Sequence, residues 1–204
     1  SDLNRKDRCG RTALILAAQE NNVNMTRLLI ENGADLNAKS GKKEWTVLIW
    51  AIWAGIGQNE DTVKLLIKKG ADVNITDSVG RTPLIYTSLW ADGSDADGCD
   101  IAELLIEKGA DLNAKDDFGS TALMAAALYN VNMTKLLIEK GADLNVRDKE
   151  GNTALMLAVR YYNTATAKLL MENGADWRIR SNDGATAAKI ATTSIFANTM
   201  PDMV

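Results

Sequence analysis

The chain contains few residues of the types that carry out catalysis or bind metal ions. It has no histidine, the commonest general base and metal ligand, and this excludes Ser-His-Asp and Cys-His catalysis. Its two cysteines, Cys9 and Cys99, are too few and too far apart in the sequence for a zinc site. A glycine-rich phosphate loop is also missing from the sequence. We therefore predict a non-catalytic protein that carries no cofactor.

The densest group of carboxylates lies at residues 92–103. Asp95, Asp97 and Gly98 are similar to part of a calcium loop, in which alternate carboxylates surround the ion before a glycine turn. With Gly98 at the glycine position, however, the first-ligand position falls on a glycine and the closing glutamate position on a leucine. Asp95 and Asp97 are thus calcium candidates with an incomplete motif, and we favour a solvated turn in which Asp100 caps the following helix.

The overall charge and hydropathy of the chain narrow the choice of partners. A formal net charge of -4 gives no general attraction to nucleic acid or to anionic membranes, because both attractions need clustered Lys and Arg. No apolar run approaches the roughly 18 residues needed to span a bilayer. We expect a soluble chain, monomeric on its own, with a cytoplasmic location favoured over others and no nucleic-acid or membrane partner.

The secondary-structure elements of the chain can be predicted from an internal repeat. A five-residue segment with the pattern Gly-Ala-Asp-x-Asn begins at 33, 70, 109 and 141, and a diverged copy begins at 174. A second marker, Thr-x-Leu, recurs in phase with it and in weaker form at Thr186, so six units are visible. A period of 32 to 39 residues indicates a stacked array of similar units.

Residues 7–39 show what one unit contains. Asp7 to Gly10 is a turn, because Asp bonds to its own backbone and Gly supplies a positive φ. Thr12 stands where a helix begins, and the following residues are strong helix formers. A second apolar helix follows a short break, and Gly33 is the expected left-handed residue after its last turn. Each unit is predicted to be a turn and a helix pair.

These units resemble the ankyrin repeat in the Asp-x-x-Gly-x-Thr-x-Leu opening, the Leu-Leu-Ile end of the second helix and the Gly-Ala-Asp-x-Asn segment. The resemblance implies an all-α repeat solenoid of turns or β-hairpins and antiparallel helix pairs in a single domain, 1–204. About five full repeats and a degenerate C-terminal cap are expected, at 7–39, 40–76, 77–115, 116–147, 148–180 and 181–204. Apolar residues replace a histidine common in the family, and we expect them in the core: Ile15, Ile49, Ile85, Met124 and Met156.

Two irregularities accompany this pattern. Asp2-Leu3-Asn4 has the spacing of the end of an earlier repeat, from which we expect that upstream sequence has been removed. The second and third copies are longer than the first, and both insertions fall between the paired helices, around residues 54–58 and 92–98.

The resemblance places partner binding on a concave face, built from the turn tips and the exposed side of the first helices. The corresponding positions lie just before each Thr and seven to eight residues after it. They hold Trp45, Trp53, Arg81, Leu89, Trp90, Phe118, Leu128, Tyr129, Arg160 and Tyr161. Trp and Tyr dominate interface hot spots, so we predict that a partner protein or peptide docks across repeats two to five. The alternative is that these rings pack between adjacent repeats.

A second hypothesis concerns a ligand cage. The segment 45–50, with Trp at both ends, is similar to the one that ankyrin domains of certain histone methyltransferases use to read methylated lysine. The candidate cage consists of Trp45, Trp50, Tyr86 and Trp90, and such cages bind quaternary ammonium groups. Trp50 and Tyr86 are otherwise expected in the core.

A third hypothesis is that the chain is the regulatory part of a larger protein whose catalytic domain has been removed.

Overall fold

The computed structural model describes residues 2–55, 60–89 and 97–193. Within these ranges the chain forms eleven helices and one two-stranded antiparallel sheet. The helices are α1 (Ala13–Gln19), α2 (Val23–Glu31), α3 (Val47–Gly55), α4 (Asp61–Lys68), α5 (Pro83–Leu89), α6 (Asp97–Glu107), α7 (Ala122–Tyr129), α8 (Val131–Glu139), α9 (Ala154–Arg160), α10 (Thr164–Glu172) and α11 (Ala187–Thr193). The strands are β1 (Lys39–Ser40) and β2 (Trp45–Thr46). This order confirms the predicted succession of helix pairs.

The first helix of every repeat begins at the predicted threonine. In α1 the Oγ1 atom of Thr12 accepts a hydrogen bond from the backbone N–H of Ile15, at 3.3 Å. This bond satisfies one of the N–H groups that a helix start leaves without a partner. The same bond is made by Thr46, Thr82, Thr121, Thr153 and Thr186. Repeated capping chemistry therefore fixes where each first helix starts.

The second helices begin and end by a similarly repeated rule. Asn22, Asn130 and Asn163 cap α2, α8 and α10 through their side-chain oxygens. After the last turn, Gly33 has a φ of +87°, in the left-handed region that costs an L-residue free energy. The glycines at the same place in the later repeats adopt the same φ, as predicted.

An aspartate organises the turn before four of the first helices. Asp7 Oδ1 accepts hydrogen bonds from the N–H groups of Cys9 and Arg11, at 2.8 and 2.9 Å. The same pair of bonds is made by Asp77, Asp116 and Asp148. The second repeat has no such aspartate, and its turn is instead the hairpin of β1 and β2, in which Ser40 pairs with Trp45. This exception shapes the candidate site.

The described residues divide into two compact units, which we treat separately: unit 1 extends to Asp111, and unit 2 begins at Leu112. In unit 1, α1 packs on α3 and α3 on α5, while the second helices α2, α4 and α6 form the adjoining row. In unit 2, α7 packs on α9, and α9 on α11. The first helices form the core of each unit, and the residues that replace the family histidine are all buried there: Ile15, Ile49, Ile85, Met124 and Met156.

Asparagine rungs join consecutive repeats within each unit. In unit 1 the side-chain oxygen of Asn37 accepts a hydrogen bond from the backbone N–H of Asp72, at 3.0 Å. Each rung connects the Asn of one Asp-x-Asn segment to the Asp at the equivalent place in the next repeat. The other rungs are Asn4 to Asp35 and Asn74 to Asp111 in unit 1, and Asn113 to Asp143 and Asn145 to Asp176 in unit 2.

The cap and the inserted segments are described only in part. Helix α11 begins just after Thr186, as predicted for the degenerate cap, and the residues after 193 lie outside the described ranges. The insertion near residue 92 falls largely on 90–96, which are also outside them. No helix in the described part of the chain is long and apolar enough to cross a membrane.

Candidate functional site

An aromatic cluster lies around Trp45 in unit 1. The centre of the Trp45 ring is 4.7 Å from that of Trp50, 5.2 Å from that of Trp53 and 5.4 Å from that of Tyr86. The pairs with Trp50 and Tyr86 meet edge to face, which is the favoured geometry of directly packed aromatic rings. Three of the four candidate cage residues are therefore brought together, and the fourth, Trp90, lies outside the described residues.

The rings of this cluster are held by polar contacts as well as by packing. Trp50 donates its indole N–H to Ser40 Oγ at 2.9 Å, and Tyr86 donates its hydroxyl to Asp77 Oδ2 at 2.7 Å. Burial, reinforced by this hydrogen bond to Asp77, raises the pKa of Tyr86 to about 12. The cluster is thus a rigid, neutral layer at ordinary pH.

Trp45 itself is only 4% exposed, although the sequence places it among the binding residues. The cause is the hairpin, because pairing of residue 45 with Ser40 places the ring over Trp50 and Tyr86. Since the ring centres around Trp45 are in contact distance, no ammonium group fits between them. A cation does lie on the cluster: Lys43 Nζ is 4.8 Å from the centre of the Trp45 ring.

The other predicted binding residues of unit 1 differ in exposure. Trp53, near the end of α3, is 42% exposed, and Leu89, the last residue of α5, is also exposed. Arg81 is half-buried in the turn before α5. Trp53 is therefore the exposed edge of the aromatic cluster around Trp45.

In unit 2 the predicted residues include an exposed tyrosine pair, Tyr129 and Tyr161. Tyr129 ends α7, Tyr161 follows α9, and their ring centres are 5.9 Å apart in an edge-to-face contact. The two side chains are 67% and 48% exposed. Leu128 is half-buried beside the pair, and Arg160 is exposed and donates to Asn152 Oδ1 at 3.0 Å.

Three further aromatic residues of unit 2 are exposed: Phe118, Tyr162 and Trp177. Phe118 lies in the turn before α7, where its backbone oxygen accepts a hydrogen bond from the N–H of Lys149. Tyr162 was missed by the sequence reasoning because it lies nine residues after its threonine, one position beyond those considered. It adopts a φ of +62°, which is uncommon for a bulky residue and is a signal that only a structure provides.

The sequence reasoning also missed a basic groove between the turns of the first two repeats in unit 1. The groove has a volume of about 590 Å³, and its lining includes Lys6, Arg8, Lys39 and Lys42 as well as Cys9 and Glu44. Residues 5–11 contain four cations and one anion, and residues 39–44 contain three cations and one anion. The two stretches lie some 30 residues apart in the chain, and the net charge of -4 for the whole chain does not indicate their local positive charge. Counting charge turn by turn could have found the signal.

The turn that carries Lys42 and Lys43 is strained. Glu44 has a φ of +51° at the position, two residues before the threonine, where other repeats have a glycine such as Gly10 or Gly80. An L-residue in this region costs about 1–2 kcal/mol. Glu44 Oε2 lies 3.6 Å from Lys39 Nζ, and the two side chains are more than a third exposed, so the ion pair offsets little of the cost.

Only one of the two calcium candidates, Asp97, lies within the described residues, and it belongs to a helix. Asp95 is outside the described residues; Asp97 is the first residue of α6, and Asp100 lies inside that helix. The prediction that Asp100 caps the helix is therefore wrong, because the helix begins three residues earlier. Over 2–55, 60–89 and 97–193, no three Cys, Asp or Glu side chains lie together so as to hold a metal ion.

Comparison with known proteins agrees with the repeat geometry. A family model described as ankyrin repeats matches the chain in three overlapping copies, at residues 1–77, 44–116 and 90–181. No curated protein sequence matches the chain.

Proposed function

Because the chain belongs to the ankyrin-repeat family, whose members are generally protein–protein interaction modules and typically non-catalytic, we propose that it binds a partner protein or peptide. The proposed contacts are the exposed residues in the turns and at the ends of the first helices. The observation that carries the proposal is the tyrosine pair in unit 2, two rings in mutual contact that both remain largely exposed. Exposed apolar surface of this kind is typical of interaction sites.

The tyrosine pair has the physical properties of a binding hot spot. Each ring has two side-chain dihedral angles to immobilise, and the contact between the rings already restricts them. Arg160 beside the pair, held by Asn152, adds a positive charge whose position is fixed. Truncating a hot-spot side chain typically costs about 2 kcal/mol or more of binding free energy, a roughly 30-fold loss in affinity.

The test combines partner capture with a matched variant. Partners are isolated on the immobilised chain, and the Kd of each is measured by titration calorimetry for the unaltered chain and for Tyr129→Ser/Tyr161→Ser. The control is Trp177→Ser, which also removes an exposed aromatic ring but lies in the turn directly after the second helix α10 and is not among the proposed contacts. We expect a loss of at least tenfold for the tyrosine variant and no change for the control. A partner that binds all three chains equally refutes the proposed site.

A second candidate function, recognition of a methylated lysine, is supported by one contact. Lys43 Nζ lies 4.8 Å from the Trp45 ring centre, so the ring already accepts an ammonium group on its outer side. A trimethyllysine peptide would have to displace Lys43 from this position. The candidate predicts that Lys43→Ala strengthens binding of such a peptide relative to its unmethylated form. Equal binding of the two peptides to Lys43→Ala rules it out.

A further inference from the structure

Of the four cations that line the basic groove, Lys6 and Lys39 have partners within the protein, and the other two form no ion pair among the described residues. Arg11 Nη2 lies 2.9 Å from Asp7 Oδ2, and Lys6 Nζ donates to the backbone oxygen of Lys39. The backbone N–H of Arg11 lowers the pKa of Asp7 below its ordinary value, so this carboxylate remains ionised beside Arg11. Among the described residues, Arg8 and Lys42 form no ion pair, and both are exposed on the groove.

The backbone of the turn in the second repeat is held in place. The strands β1 and β2 close the four-residue segment 41–44, and the backbone oxygen of Lys43 accepts a hydrogen bond from the N–H of Ser78 at 2.8 Å. The turn is therefore anchored to the next repeat of unit 1 while Lys42 and Lys43 stay exposed. An anchored backbone reduces the entropy that these residues lose when a ligand binds.

The basic groove is continuous with the aromatic cluster. Glu44 lines the groove and is followed by Trp45, on which Lys43 lies, and the Trp45 ring contacts that of Trp53. Trp53 offers an exposed apolar surface next to these charges. One face of unit 1 therefore presents positive charge and then an aromatic ring.

We propose that this face of unit 1 binds an acidic peptide segment that carries an apolar side chain. The inference rests on the proposed function and specifies its partner chemistry: carboxylates of the segment contact Arg8 and Lys42, and the apolar side chain contacts Trp53. Charge complementarity favours this ligand, because Arg8 and Lys42 both line the groove and are exposed. A short peptide fits better than nucleic acid or a membrane, because the exposed Trp53 ring beside the charges suits an apolar side chain. The net negative charge of the whole chain also disfavours a polyanion that extends beyond the groove.

The probe is a ten-residue peptide of Glu and Asp with one central Leu, labelled with a fluorophore at one end. Its binding is followed by fluorescence anisotropy, and contacts are mapped by amide chemical shifts in the full chain. We expect saturable binding with shifts confined to residues 5–11, 39–46 and the Trp53 indole, and a weaker affinity at higher salt. A matched peptide with Gln and Asn in place of the acids should not bind. Absence of saturable shifts up to millimolar peptide overturns the proposal.

Charge-matched variants separate the groove from general electrostatics. Arg8→Glu/Lys42→Glu and Lys135→Glu/Lys168→Glu change the net charge equally, and the second pair lies on exposed positions of α8 and α10 in unit 2. We expect the groove variant to lose about tenfold in affinity, because two attractions become repulsions, and the control to lose less than twofold. Equal losses would indicate a general charge effect and refute the site.

Two further measurements distinguish the remaining outcomes. Single-stranded RNA and phosphatidylserine vesicles are titrated under the same conditions, and tighter binding of either than of the peptide overturns the assignment of the ligand class. The partners isolated for the tyrosine pair provide the second measurement. If those partners depend on Tyr129 and Tyr161 while the acidic peptide fails to bind, this inference is refuted and the proposed function stands. If the partners do not depend on the two tyrosines and the peptide also fails to bind, the inference and the proposed function are both refuted.

Discussion

Two nearly identical helices allow the effect of burial on stability to be measured in almost the same local sequence. Segments 22–37 and 130–145 differ at two positions only, with Arg27 and Asn32 in the first and lysines in the second. The methionine at the third position of the helix is nevertheless 45% exposed in α2, as Met25, and fully buried in α8, as Met133. The same residue in the same helical context thus occupies two environments.

The magnitude of the expected effect follows from this difference. Met133→Ala removes a fully buried side chain and should cost about 2–5 kcal/mol, the sum of lost transfer free energy and a cavity. Met25→Ala loses roughly half of the transfer term and leaves no closed cavity, which gives about 1 kcal/mol. The change in helix propensity is small and common to both, and both capping bonds use the backbone N–H, so they persist.

The assay is urea unfolding followed by circular dichroism, with hydrogen exchange of the α2 and α8 amides to locate the loss. Leu29→Ala and Leu137→Ala are the control pair, since both leucines are buried at the same position of the two helices. We expect these two variants to lose similar free energies of unfolding, and the methionine variants to differ by at least about 1 kcal/mol. Equal losses for Met25→Ala and Met133→Ala would show that burial does not determine the cost here.

Three further predictions follow from the backbone and from one titration. Glu44→Gly should raise the free energy of unfolding by about 0.5–1 kcal/mol in urea unfolding, because the left-handed strain is removed at a smaller entropic cost; a loss of stability would contradict the assigned strain. Gly119→Ala should cost about 1–3 kcal/mol more than Gly141→Ala in the same assay: both glycines have positive φ, but a Cβ on Gly119 would lie 2.9 Å from the backbone nitrogen of Lys149, whereas nothing lies within 4 Å of one on Gly141. Tyr86 should ionise only near pH 12, above its ordinary value of 10.0, so the stability that its protonated form provides is complete below pH 10 and is lost as the pH rises towards 12. Absorbance at a phenolate wavelength should show a titration step near pH 12 that Tyr86→Phe abolishes. If Tyr86→Phe instead removes an absorbance change near pH 10, burial does not raise the pKa of Tyr86.

The sequence was sufficient to predict the repeats because their positions depend on local chemistry. A threonine that caps a helix and a glycine that adopts a left-handed conformation act within four residues of themselves, as Thr12 and Gly33 do. The buried residues in the place of the family histidine were predictable from the family resemblance. Family resemblance also placed Tyr129 and Tyr161 on the exposed side of the first helices, and both side chains are exposed.

The parts of the candidate sites that were not predicted depend on contacts between distant residues. Trp45 was expected on an exposed face, yet the absence of the turn aspartate in its repeat allows a hairpin that buries the ring. The basic groove exists because the turn at residues 5–11 lies beside the turn at 39–44. Neither the burial of Trp45 nor the basic groove can be predicted from overall charge and residue spacing, because both depend on how the repeats stack.

The asparagine rungs bear on how such a chain can change in evolution. In unit 1 the rungs join residues 31, 35 and 37 positions apart in the sequence, and the hydrogen bonds measure between 2.9 and 3.0 Å in every case. Length added between the paired helices therefore leaves the joint intact. Each joint uses one Asn and one Asp of the same short motif, so a duplicated gene segment already encodes both of its connections. The near identity of 22–37 and 130–145 is what duplication of such a module predicts.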